Sequence, residues 1–223
     1  MAPSPVESPS YIDSSIRSFL VNLAGKSTEP AGGAALALAA ASAAALVSLT
    51  CHAGISALAR GGGEADDTRA LEACQFGGQA LSERIQHLID EDVVAYHEVT
   101  RALRLPHSTT EAGRARKEAL DRALRGAIEV PLEVASAGLE ILELVLDVEP
   151  TVHPPAFGDL AAAAHLAEAA VKGSLRNALL NAAALADEAF SAEARARIDV
   201  LDARLKRLAG MILAAFESPG AVE

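Results

Sequence analysis

Tryptophan is absent from this 223-residue chain, aromatic residues make up only 3% of it, and it contains two cysteines and two methionines. The scarcity of aromatic and β-branched runs argues against a sheet protein, because those residues suit pleated, half-buried surfaces. Cys51 and Cys74 lack metal-ligand spacing and both fall in helical stretches, so no metal site is expected and they read as small buried hydrophobes. Nor is there a block of lysine or arginine. With a formal net charge of −11, neither nucleic acid nor an anionic membrane surface is an expected partner. The compact cationic groups, Arg114 with Arg116 and Lys117, and Lys172 with Arg176, read either as a local anion pocket or as solvated helix faces. The first residues carry Pro3, Pro5, Glu7 and Pro9 instead of the basic and apolar stretches of a signal peptide, and the expected compartment is the cytoplasm.

What the chain has in quantity is alanine, leucine and valine, which dominate a hydrophobic content of 51%. Alanine is the best helix former and its small side chain lets helix axes approach, so closely spaced helices are expected. Residues 31–51 carry no charge and are long enough to cross a bilayer. Their alanine and serine content, their glycine opening and their lack of an aromatic belt point instead to a helix buried on all sides of a bundle. Apolar periodicity predicts further helices over about 10–24 (Ile12, Ile16, Phe19, Leu20 and Leu23 on one face, Gly25 as stop), 64–103, 110–146, 159–186, and from an N-cap at Ser191 to about 216. Pro131 is expected to kink or split the third of these, and Pro150, Pro154 and Pro155 exclude regular helix over 148–158. The expected fold is all-α: an up-and-down helical bundle around a buried Ala-rich central helix, a single domain over 10–217 between tails at 1–9 and 218–223. Such faces would leave apolar surface open in a lone copy, so a homodimer is expected.

Four groups of residues carry possible chemistry. Gly32 and Gly33 open the central helix, where free N–H groups and the helix dipole suit an anionic or carbonyl group, or where they simply permit a tight turn. Asp92 and Tyr96, four residues apart, share one helix face and read as ligand contacts or as a solvated carboxylate beside a core-edge ring. Asn177 and Asn181, one turn apart, present amides either to a flat heterocycle or to a neighbouring helix. Asp159 follows the proline-rich loop, where an aspartate commonly caps a helix.

The order of these features resembles the formimidoyltetrahydrofolate cyclodeaminase and methenyltetrahydrofolate cyclohydrolase family. Phe19-Leu20 with Leu23-Ala24, then Pro30-Ala31-Gly32-Gly33, then the Ala-rich helix, is similar to that family's FLxxLA helix, PGGGS-type turn and Ala-rich helix. The likeness continues through Asp90-Glu91-Asp92 to Tyr96, Leu105-Pro106, Arg114, Val130-Pro131-Leu132, Asp159-Leu160, and Asn177 with Asn181. It implies an all-helical homodimer acting on the formimino or methenyl carbon of a tetrahydrofolate derivative, the folate serving as substrate, with no metal or redox cofactor. It also implies Asp159, matching the family's SD motif, as the proton-moving carboxyl, with Gly32, Gly33, Asp92, Tyr96, Asn177 and Asn181 holding substrate.

Several positions depart from the family pattern. Ala31 and Ala34 replace a Gly and the Ser of the turn, Gly158 stands at the Ser of SD, and a basic segment becomes Ile55-Ser56-Ala57-Leu58. His52 falls at a usual Asn; histidine is a side chain suited to proton transfer, which makes it a second catalytic candidate, or it is a hydrogen-bonded residue at a helix end. At 1.5 Å per residue, Asn177 stands about 27 Å from Asp159, so either one of the two assignments is wrong or the site is shared between subunits. Three functions stay open: the folate cyclodeaminase or cyclohydrolase, an enzyme of this scaffold repurposed for a biosynthetic cyclisation, hydrolysis or one-carbon transfer, and a non-catalytic helical binding protein.

Overall fold

The computed structural model describes residues 10–26, 28–61 and 65–217. Both expected tails lie outside the described residues. Six α-helices follow in order: α1 (Ile16–Leu23), α2 (Gly32–Gly61), α3 (Ala65–Leu103), α4 (Thr110–Val148), α5 (Phe157–Ala184) and α6 (Glu188–Phe216), with no strand among the described residues. Two 3₁₀ turns, Glu149–Thr151 and Pro154–Ala156, make the proline-rich connection.

The Ala-rich helix is the centre of the packing, as α2 lies against α3, α4 and α5 while α6 packs on α4 and α5. Ala34, Ala37, Ala40, Ala44, Val47 and Cys51 recur at spacings of three and four and are fully buried, so no long side chain holds the neighbouring helices away. The closeness is measurable at Gly78 of α3. A Cβ there would stand 2.9 Å from the Ala44 carbonyl oxygen and 2.6 Å from Ser48 Oγ. The Ser48 hydroxyl in turn donates to the Gln75 carbonyl at 3.2 Å, bridging α2 and α3. Between α4 and α5, Gly138 plays the same part, with Val171 Cγ2 at 2.5 Å from its would-be Cβ. Ile85, Ile89, Leu132, Leu139 and Leu142 fill the wider spaces. Burial pushes the Cys51 thiol up to about 12, the nearby Cys74 adding to the effect, so it behaves as an apolar group.

Four expectations need correction. The first helix begins at Ile16, because residues 10–14 are tied to α3 instead: Asp90 accepts from the Tyr11 N–H (2.6 Å) and the Ser10 hydroxyl (2.9 Å). It buries Phe19 and leaves Ile16 and Leu20 exposed. The central helix runs to Gly61 and is not buried on all sides, since Ala45, Leu49 and His52 form an open stripe. Among the described residues it is the one helix long and apolar enough to cross a bilayer, and 56% of its most apolar window is buried in the bundle. Of the kink or split expected at Pro131, the split does not occur, since α4 is continuous through it. Ser191 is not the N-cap of α6; Asp187 is, accepting from the Phe190 N–H at 3.1 Å, while Ser191 donates back to the Ala182 carbonyl at the end of α5. Of the cationic groups, Arg114 pairs with Glu118 and Lys172 with Glu168 one turn away, both exposed, as solvated helix faces do.

Candidate functional site

The start of α2, the middle of α4 and the C-terminal thirds of α3 and α5 meet around a cavity of about 320 Å³. The opening turn contributes Ala31, Gly32 and Gly33; α3 contributes Asp92, Ala95, Tyr96 and Val99; α4 contributes Ala127 and Pro131; and α5 contributes Asn177, Leu180 and Asn181. The structure thus brings together six of the eight site residues named from the sequence. The helical period explains the grouping: residues 92 and 96, and 177 and 181, are each one turn apart and face the same side.

Asp92 is the carboxylate of the cavity. Its Oδ2 accepts from the Ala34 N–H at 2.9 Å, so a side chain of α3 occupies the donor end of α2 that the sequence suggested for a ligand. Gly33 makes this approach possible, because a Cβ at that position would lie 1.9 Å from Asp92 Oδ1. Burial raises the Asp92 pKa above the ordinary 3.8, and the hydrogen bond from Ala34 opposes that rise without cancelling it. Glu29, whose peptide to Pro30 is cis, sets its carboxylate against His97 Nε2.

The two asparagines differ. Asn181 donates its Nδ2 to the Ala127 carbonyl at 2.6 Å, and Ala127 lies four residues before Pro131. Proline has no N–H to complete that turn of α4, so the carbonyl is left to the side chain of α5. The amide of Asn181 is therefore fixed by its nitrogen, and among the described residues neither its Oδ1 nor the Asn177 side chain makes a hydrogen bond.

Asp159 and His52 are not in the cavity. Asp159 is exposed on the first turn of α5, where Ala156 occupies the N-cap position, and its separation from Asn177 along the unbroken helix is about 27 Å. His52 is exposed on α2, about 30 Å along the axis from Gly32. Both belong to the end of the bundle where the proline-rich connection crosses α2 near Gly54. Sequence reasoning missed Ala127 and Pro131 as site residues, although the i−4 carbonyl before a mid-helix proline is a readable signal; Ala95, Val99 and Leu180 carry none beyond their helical register.

A bundle of long helices in which a desolvated carboxylate and two asparagine amides line the same cavity defines a class of all-helical protein with its polar groups gathered between helices, the kind of concave site that takes small molecules. The chain belongs to the formiminotransferase-cyclodeaminase family, whose model matches residues 15–200. It is 32% identical over 197 residues to the methenyltetrahydrofolate cyclohydrolase of Methylorubrum extorquens, covering 88% of each chain. It is 29% identical over 209 residues to the formimidoyltransferase-cyclodeaminase of Rattus norvegicus, where the match takes in 94% of this chain but 38% of that longer protein. In fold it is similar to the formiminotetrahydrofolate cyclodeaminase of Thermotoga maritima, with a TM-score of 0.69 and 21% identity over 90% of this chain and 98% of that one.

Proposed function

We propose that this protein is a folate one-carbon enzyme working on the carbon that bridges N5 and N10 of tetrahydrofolate, with hydrolysis of the methenyl form as its first reaction and ring closure of the formimino form, with release of ammonia, as the second. Hydrolysis is placed first because the similarity to a cyclohydrolase extends over 88% of both chains. The observation that carries the reading is Asp92: among the residues lining the cavity it is the one carboxyl, and burial holds its pKa up. Hydrolysis needs a group that takes a proton from the attacking water and returns one to the departing ring nitrogen, so that the C–O bond forms as the C–N bond breaks. A carboxyl poised above its usual pKa suits both transfers. Asn177 and Asn181 offer amide donors and acceptors to the edge of a pterin, and the cavity volume is at the lower end of the range for small-molecule sites. The active form in this reading is a cytoplasmic homodimer that uses no metal or redox cofactor. The repurposed and non-catalytic alternatives draw no support from the relatives, which are named for folate reactions.

Purified protein should accelerate the loss of near-ultraviolet absorbance of methenyltetrahydrofolate, and formiminotetrahydrofolate tests the deaminase branch. No acceleration over buffer on either substrate would remove the reading. Asp92→Asn should lower kcat roughly 100- to 10,000-fold, the usual worth of a proton-transferring side chain. Full turnover in Asp92→Asn together with loss in Asp159→Asn would move the chemistry to the other end of the bundle.

A further inference from the structure

We infer that Pro131 is a positioning residue of this site, acting through Asn181 to fix which way that amide faces the ligand; this rests on the proposed folate reaction only for its kinetic consequence. Pro131 is buried in the middle of a helix that continues unbroken on both sides, so it is not there to end the helix. An internal proline removes one helical hydrogen bond and its ring presses against the carbonyl four residues earlier, turning that oxygen outward. That carbonyl belongs to Ala127, and Asn181 Nδ2 is 2.6 Å from it. All three residues line the cavity. An amide held by its nitrogen cannot flip, since the flipped form would set Oδ1 against the Ala127 oxygen. Asn181 therefore presents a fixed acceptor, Oδ1, and one spare N–H, which selects a ligand edge carrying a donor beside an acceptor.

An alanine at this position restores the N–H and lets the Ala127 carbonyl swing back into the helix, which frees the amide of Asn181. Pro131→Ala should fold with a Tm at or above that of the parent and should lose about tenfold in kcat/KM, mostly through KM, as expected for about 1.4 kcal/mol of lost orientation. In an Asn181→Ala background the same change should alter kcat/KM less than twofold, because the two residues act as one unit. Equal losses in both backgrounds, or none in the parent, would overturn the inference. A readout independent of catalysis separates it from the function itself: the Asn181 side-chain amide protons, assigned by their disappearance in Asn181→Ala, should exchange with solvent about tenfold faster in Pro131→Ala, the kinetic image of the same orientation loss. Unchanged exchange refutes the positioning role even in an active enzyme, and faster exchange supports it even if the folate assay fails.

Discussion

At the scale of single residues, the contact between Asp92 and the start of α2 decides most. Gly33→Ala should displace the Asp92 carboxylate and break its bond from Ala34, costing about 1–3 kcal/mol of overpacking together with most of the activity. Gly32→Ala meets nothing within 4 Å and should be neutral or slightly stabilising. Thermal unfolding and turnover of the pair check this, and equal behaviour of the two variants contradicts the geometry. The raised pKa of Asp92 sets a pH dependence as well. Because the folded pKa lies above the unfolded value, the group's stabilising contribution is complete below the ordinary 3.8 and is lost as pH rises through the folded value. Asp92→Asn, which keeps an acceptor for Ala34, should thus melt at or above the parent at neutral pH, with the difference closing toward pH 3.8. The acid limb of kcat/KM should fall at a pH above 3.8 if the ionised carboxylate is the base. The residue pairs at 92 and 96, and at 177 and 181, were legible in the sequence because helical spacing puts each pair on one face. Asp159 and His52 were singled out by motif position, which carries no distance, and the structure leaves them at the far end. The link from Pro131 through Ala127 to Asn181 depends on how α4 meets α5, and that crossing has no signature within either helix.

At the scale of elements, the bundle depends on how near α3 comes to α2. The would-be Cβ of Gly78 meets backbone at 2.9 Å, which a rotamer change cannot relieve, whereas Gly126 on α4 has open space around it. Gly78→Ala should therefore destabilise by about 1–3 kcal/mol, or roughly 2–10 °C in Tm for a chain of this size. Gly126→Ala should raise stability by about 0.5–1 kcal/mol through backbone entropy alone. Calorimetry on the two variants tests this, and a neutral Gly78→Ala would mean that the helices lie further apart. The long helices were legible because their apolar periods are long: 64–103 was expected and Ala65–Leu103 is found. The start of α1 was not, because Asp90, about eighty residues along, accepts from the Tyr11 N–H and the Ser10 hydroxyl and holds that segment out of the helix. The open stripe of α2 was hidden for another reason. Alanine reads as apolar on every face, so composition could not tell the buried side from the exposed one.

At the scale of the whole molecule, that stripe bears on assembly. Ser42, Ala45, Leu49 and His52 repeat at three- and four-residue steps along the exposed side of α2, with Leu49 51% exposed, and none of them carries a carboxylate although the chain as a whole holds a net charge of −11. This stripe of small and apolar side chains, free of negative charge, is a face on which two α2 helices could approach across a two-fold axis. If the proposed homodimer pairs through this stripe, sedimentation should give twice the mass of the chain, and high salt should leave that mass unchanged because apolar burial would hold the contact. Leu49→Glu puts two like charges beside the axis and should yield a folded monomer with unchanged helical content. If that variant stays dimeric, the contact lies elsewhere, and the exposed Ile16, Leu20 and Val21 of α1 become the face to substitute next. The same variant tells whether assembly matters to the reaction: a monomer that retains turnover makes the pairing of α2 helices dispensable, and a folded monomer without turnover makes it a condition of the chemistry, with His52, one turn from Leu49 on the same stripe, the next residue to substitute.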